Sequence, residues 1–315
     1  MFKILFVCIA LFFNINPVWA QSNEVIKIVV PFAPGGPIDL VARIIQPALA
    51  KELGKTVIIE NRAGAGGTIG VGAVATSAPD GKTLLLASGA FVLSAGTMSS
   101  LPYDPRKDLE PIALMGQVQT VLVVRPSLGV NSLNDLVNKG RNGAKFNFGS
   151  SGMGSSMHIA SELINLSAGT HFQHVPYKGA ALAINDLMGG NIDFLIADLP
   201  VLAPFIKDGK LKALVICDSQ RSSRLPQIPH AVEAGLPELQ MNNWYGLMMP
   251  AGVSVKVKSD MELALLKAFR APEIANRLTD LGLSAPGDAA TFKNKLNAEF
   301  EKWIPVIRKA GIRSE

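Results

Sequence analysis

Two glycine- and serine-rich segments hold most of the chemistry that this 315-residue chain offers: Pro34-Gly35-Gly36-Pro37 and Ser150-Ser151-Gly152-Met153-Gly154-Ser155-Ser156. Each follows an apolar run and precedes a helical pattern, so each lies where a strand's carboxyl end meets a helix's amino end. In open α/β sheets that edge binds ligands. Helix amino ends offer unpaired N–H donors and about half a unit of positive charge, which suits carboxylates and phosphates. Gly35 and Gly36 let the backbone approach a ligand, and Pro37 fits a first helical turn without an N–H. Asp39 is placed either to cap that turn or to touch the ligand. Two such loops facing each other from different domains form an anion clamp. Hydrogen bonds to a charged group contribute about 1.5–3 kcal/mol each. About four to six of them support micromolar binding after ordering costs.

Enzyme motifs are incomplete. Leu49 and Thr76 stand where a Walker A loop ending at Gly54-Lys55-Thr56 or Gly81-Lys82-Thr83 needs its first glycine. Ile69 holds the third-glycine place of a Gly-x-Gly-x-x-Gly pattern begun at Gly64 and Gly66. Gly149-Ser150-Ser151-Gly152 is one residue too tight for a nucleophile elbow. His171 and His174, three apart on a predicted strand, point to opposite faces and do not make a metal site. His158 sits among Met157, Ala160, Leu163 and Ile164 on a helical pattern, which reads as packing or capping. A secreted α/β hydrolase using Ser151 or Ser155 with His158 is the rival reading, and it predicts ester turnover. No catalytic residue, metal or cofactor is expected.

The elements that must position these loops alternate along the chain. Apolar runs at 25–31, 56–60, 83–87, 120–124, 145–148, 172–175, 192–196 and 211–217 read as strands. Helical patterns lie between them, starting in the middle of the chain near Ser132, Ser155, Ala180 and Pro200, and fill the tail at 255–269, 272–281 and 289–310. This is an α/β pattern with a largely parallel sheet. Gly54 stops the first helix and Pro47 should bend it. The five middle strands make one doubly wound unit. The three N-terminal strands make a thin sheet that the tail completes. The predicted division is therefore 21–122 with 221–315 as one domain and 123–220 as the other. The chain crosses near Leu122–Arg125 and near Cys217–Arg221, a hinge with a ligand cleft between the lobes.

The chain has 30 Lys+Arg against 25 Asp+Glu, and no basic run exceeds two residues, so there is no footprint for nucleic acid. Apolar residues make up 48%, which excludes a disordered chain. Met1-Phe2-Lys3, a ten-residue apolar run at 4–13 and Val18-Trp19-Ala20 form a secretory signal at 1–20, cleaved after Ala20. A membrane span needs about 20 apolar residues. The mature chain then keeps one cysteine, Cys217, in a run that reads as a buried strand.

Pro31-Phe-Ala-Pro-Gly-Gly-Pro-Ile-Asp39 and Glu60-Asn-Arg-Ala-Gly-Ala-Gly-Gly67 resemble the Bug proteins, the periplasmic substrate-binding components associated with tripartite tricarboxylate transporters. So do Ala78-Pro-Asp-Gly81, His174-Val-Pro-Tyr-Lys-Gly179, Val232-Glu-Ala-Gly-Leu-Pro237, Trp244-Tyr-Gly246 and Pro250-Ala-Gly252. The resemblance implies a type II periplasmic binding protein fold, two doubly wound α/β domains closing on a small carboxylate. It implies contacts at Gly35, Gly36, Pro37 and Ile38, with Gly66, Gly67 and Ser88 nearby. Ser151, Gly152, Ser155, Ser156, Lys178 and Gly179 face them. Two departures bear on the ligand. Ile38 replaces a small hydroxyl residue and admits a less polar ligand. Ala197-Asp198-Leu199-Pro200 stands for Asp-Asn-Leu-Pro, so Asp198 either selects an amine or hydroxyl on the ligand or caps the helix at Pro200. The implied partners are the carboxylate and the membrane subunits of the transporter, with the receptor acting as a monomer. A sensor serving a membrane signalling partner is the alternative.

Overall fold

The computed structural model describes residues 24–313, and the secretory segment read at 1–20 lies outside them. The first stretch runs β1 (Val25–Val30), α1 (Pro37–Leu53), β2 (Thr56–Asn61), α2 (Thr68–Ala75), β3 (Thr83–Ser88), α3 (Ala90–Thr97) and β4 (Leu109–Val118). The middle runs β5 (Thr120–Val124), α4 (Leu133–Arg141), β6 (Asn147–Ser150), α5 (Ser156–Ala168), β7 (Gln173–Pro176), α6 (Ala180–Gly189), β8 (Phe194–Asp198), α7 (Leu199–Lys207) and β9 (Lys212–Ile216). The last stretch holds β10 (Asn243–Pro250), α8 (Val255–Arg270), α9 (Pro272–Asp280) and α10 (Ala289–Ala310).

Local signals place the helix ends. α1 starts with Pro37 at its first position, buries Ile38, Val41, Ile45 and Leu49, and continues through Pro47. It stops at Gly54, whose left-handed conformation (φ 61°) lets its N–H donate to the Lys51 carbonyl. Ser132, Ser155, Ser254 and Asp288 cap α4, α5, α8 and α10, each side chain accepting from the backbone N–H three residues on.

Two five-stranded sheets result, ordered β2-β1-β3-β10-β4 and β7-β6-β8-β5-β9. Neither is largely parallel. β10 runs antiparallel to β3 and β4, and β5 runs antiparallel to β8 and β9, while the remaining pairings are parallel. The reversed strands are the two through which the chain enters each sheet from the other lobe. The sheets are buried on both faces. Along β1, Ile26, Ile28 and Val30 join one core and Val29 another; along β5, Leu122 and Val124 split from Val121 and Val123 in the same way. This period of two across a doubly covered sheet is why both strands read as unbroken apolar runs.

β4 ends at Val118 in one sheet and β5 begins at Thr120 in the other, and we place the first crossing at Gln119, close to the 122–125 read from the sequence. Residues 218–242 stay with the second lobe: Ala231, Leu236, Leu239 and Met241 join its core, and Met241 N–H donates to the Cys217 carbonyl at 3.0 Å. We place the return at 241–243, not at 217–221, because this polar, proline-bearing passage is anchored by those apolar side chains. Helix α10 spans both lobes, with Phe292, Leu296 and Phe300 in a first-lobe core and Trp303 and Ile307 in the second-lobe core. Cys217 is fully buried one residue past β9, and burial pushes its thiol up to about 12.

Candidate functional site

A cavity lies between the lobes, and helix amino ends dominate its wall. Gly36 and Pro37 bring the start of α1, Ser156 that of α5, Ala180 that of α6 and Asp198 that of α7. Ser88 lines it two residues before α3. The first-turn N–H groups of a helix have no intrahelical partner. Several such ends converging on one space create a positive potential without any lysine or arginine in the lining. Ser88, Ser151 and Ser156 add hydroxyls, while Phe32, Ile38 and Met157 make part of the wall apolar.

The predicted site residues divide into those lining this cavity and those that build it. Gly36, Pro37, Ile38, Ser88, Ser151, Ser156 and Asp198 line it. Asp39 does not, and it is not a simple cap. Its buried carboxylate accepts from Gly35 N–H (3.0 Å), Asn61 Nδ2 (2.9 Å), Arg43 Nε (2.8 Å) and Arg43 Nη2 (3.1 Å). Burial pushes its pKa up, but Arg43, the Gly35 N–H and Asn61 outweigh that and hold it below the ordinary value. Asp39 therefore shapes the Gly35–Gly36 loop from behind.

Gly66, Gly152, Lys178 and Gly179 are where the lobes meet. A Cβ on Gly66 would stand 1.9 Å from the Met153 carbonyl oxygen of the opposite lobe, and Gly66 holds a left-handed φ of +63°. Gly152 packs against the Gly66 backbone, and Gly179 against Ala33. Ala33 N–H donates across the gap to the Lys178 carbonyl at 3.2 Å, while the Lys178 side chain is exposed. Gly67 packs on the Phe32 ring, and Gly35 lies against Ala181. These backbones touch because the side chains are missing.

The 150–156 loop is held from beneath. Ser150, fully buried, has its Oγ 2.6 Å from His174 Nε2 and also accepts from Gly152 N–H at 3.0 Å. Gly154 N–H donates to His158 Nδ1 at 3.1 Å, so that nitrogen carries no proton. Ser155 Oγ accepts from the His158 backbone N–H rather than from its ring. Ser155 is thus a buried cap of α5, not a cavity residue. No catalytic serine–histidine pair forms at Ser151 or Ser155.

Asp198 resolves neither to a cap nor to a free carboxylate. Pro200 removes the N–H at the second position of α7, and the Asp198 side chain makes no capping bond. Instead it crosses to β10. Asn243 Nδ2 donates to both carboxyl oxygens (3.1 and 3.2 Å), and Tyr245 Oη donates to Oδ2. Burial pushes its pKa up to about 7, opposed by the Asn243 hydrogen bond. Asn243 and Tyr245 also line the cavity. They escaped the sequence reading, although Trp244-Tyr-Gly246 was visible as a motif.

Comparison with known proteins identifies the family and the fold. The family model described as "Tripartite tricarboxylate transporter family receptor" matches residues 41–312. Protein BugT of Bordetella pertussis is 35% identical over 296 residues, covering 91% of this chain and 90% of its own. The structure of periplasmic binding protein BugD superposes with a TM-score of 0.87 at 28% identity, covering 92% of this chain and 99% of its own. MatC of Rhodopseudomonas palustris with bound malate gives 0.85 at 32% identity, covering 90% and 98%. The two-lobed fold is therefore that of periplasmic binding proteins, and the chain belongs to the tripartite tricarboxylate transporter receptor family, the Bug solute-binding proteins, which are receptors and not enzymes.

Proposed function

We propose that this chain is an extracytoplasmic solute receptor that holds a small organic carboxylate between its lobes and hands it to the membrane subunits of a tripartite tricarboxylate transporter. The observation that carries the reading is the convergence of the α1, α5, α6 and α7 amino ends on one cavity whose lining has no basic side chain. Main-chain donors from both lobes then hold the anion. Closure follows from a ligand that touches both lobes, because one gripping a single lobe equally in either state shifts nothing. Ser151 and Ser156 supply hydroxyl donors from the second lobe, and Gly36, Ile38 and Ser88 face them from the first. Malate bound to the similar MatC supports a carboxylate ligand. Export through cleavage after Ala20 delivers the mature receptor, a monomer, to the periplasm. No helix among the described residues is long and apolar enough to cross a membrane.

Thermal unfolding of residues 21–315 against a panel of organic acids and their neutral amides tests this. A ligand at a hundred times its Kd stabilises by about 2.7 kcal/mol. Some acid should raise the midpoint while its amide does not. Equal shifts from acids and amides, or none from any acid, would contradict the reading.

A further inference from the structure

Within the cavity one carboxyl side chain, that of Asp198, stands among the donors. Asp198 lies at the floor, next to the first crossing: it pairs in register with Thr120, the first residue of β5. Its surroundings fix which way the hydrogen bonds run. Asn243 Oδ1 accepts from Gly89 N–H (3.1 Å) and Trp244 N–H (2.9 Å), so the amide must turn its Nδ2 towards Asp198. Tyr245 Oη accepts from Asn243 Nδ2 at 3.2 Å and donates its proton to Asp198. Both neighbours are thus donors, and the carboxyl oxygens of Asp198 are acceptors. The next group to reach the floor meets acceptor lone pairs.

The rest of the cavity adds two constraints. The helix amino ends take one carboxylate of a ligand. Phe32, Ile38 and Met157 line the space with hydrocarbon. A second carboxylate reaching the floor would meet Asp198 with no basic side chain between them. A hydroxyl or an ammonium would find an acceptor.

We propose that Asp198 selects the ligand's far end, so that the receptor takes monocarboxylates carrying a hydroxyl or ammonium donor in preference to dicarboxylates of the same length. This rests on the carboxylate reading above and narrows it. The donor and the apolar wall together describe a short-chain hydroxy acid or amino acid with its donor remote from the carboxylate.

Titration calorimetry with matched probes tests it: succinate, 4-hydroxybutyrate and 4-aminobutyrate, and the six-carbon set adipate, 6-hydroxyhexanoate and 6-aminohexanoate. In the length that binds, the native protein should hold a hydroxy or amino acid at least tenfold more tightly than the diacid. Asp198→Asn, which keeps the shape and an acceptor oxygen while removing the charge, should shrink that ratio at least tenfold. Equal or tighter binding of the diacid by the native protein overturns the proposal without any variant having to fold. An unchanged ratio in Asp198→Asn, with a native-like unfolding midpoint, overturns it as well. In both cases a carboxylate still binds, and the receptor reading stands. Failure of all six to bind the native protein, while another acid of the thermal panel does, overturns this proposal and leaves the receptor reading standing.

Discussion

The imidazoles of His158 and His174 lie stacked, 4.0 Å between ring centres and 18° from parallel, beneath the 150–156 loop. Phe148 stacks on the His174 ring from the sheet, 5.0 Å away. Burial first, and then the neighbouring His174, pushes His158 down to about 3, and burial pushes His174 down to about 4. Both rings stay neutral in the fold, whereas the unfolded chain takes up protons below about pH 6.5. This part of the stability is complete above pH 6.5. It falls as pH drops towards 4, by up to about 1.4 kcal/mol per pH unit for each ring. His158→Asn with His174→Gln, whose amides keep a hydrogen-bonding group near Nδ1 and Nε2, should flatten the fall of the unfolding midpoint between pH 6.5 and 4. Scanning calorimetry across that range checks it, and an unchanged slope would exclude the pair as its source.

Gly66→Ala should separate folding from closure. A Cβ there costs about 1–2 kcal/mol in the left-handed conformation, a modest loss for the fold. Against the Met153 carbonyl, the same Cβ blocks lobe contact. The variant should stay folded, lose ligand affinity at least tenfold, and show no contraction by small-angle scattering when ligand is added. Native closure in the variant would show that the contact at Gly66 does not govern it.

Asp39→Ala should behave as a loop mutation. It removes hydrogen bonds from Gly35, Asn61 and Arg43 at once. Stability should fall by about 2–4 kcal/mol, because Arg43 is half exposed and regains water while Gly35 and Asn61 do not. Affinity should fall with it, since the Gly35–Gly36 loop loses its support. Because the Asp39 carboxyl titrates below its ordinary value, its contribution is complete above about pH 4 and is lost only as pH falls through that lowered value. Chemical unfolding of native and Asp39→Ala protein at pH 7 and pH 3 reads both effects.

How much of this was legible depends on whether the decisive partner is near in the chain. Helix starts near Ser132 and Ser155, Gly54 as a stop and the buried parallel strands follow from residues within a turn or a run. β4 and β10 do not. Pro111 and Gly116 interrupt the pattern of β4, and β10 carries Gly246 and ends in Pro250. Each gains its strand form from the other, with Asn243 opposite Val118. Gly246 is needed for a distant reason: a side chain there would meet the Phe292 ring. The same distance hid the role of Asp198, whose partners Asn243 and Tyr245 lie 45 and 47 residues further on. It also hid the return crossing, since nothing local distinguishes a free linker at 218–242 from one pinned by Leu239 and Met241. The bond from Asn61 of β2 to Asp39 is likewise one that local spacing does not reveal.

Serines on the 150–156 loop should sort by position. Ser155→Ala removes the α5 cap and should lower stability by about 1 kcal/mol, with less than a threefold change in affinity. Ser151→Ala and Ser156→Ala should leave the unfolding midpoint within about a degree and weaken ligand binding five- to tenfold. Calorimetric titration beside thermal unfolding distinguishes the groups, and a reversed order would exchange cap and ligand contact.

A crystal structure of the mature receptor with an acid identified by thermal shift tests the central claim most directly. The ligand's carboxylate oxygens should lie about 2.7–3.2 Å from N–H groups at the starts of α1 and α5, with Ser151 or Ser156 in hydrogen-bonding reach. A carboxylate paired instead to a lysine or arginine side chain, or bound away from the space between Gly36 and Ser156, would contradict it.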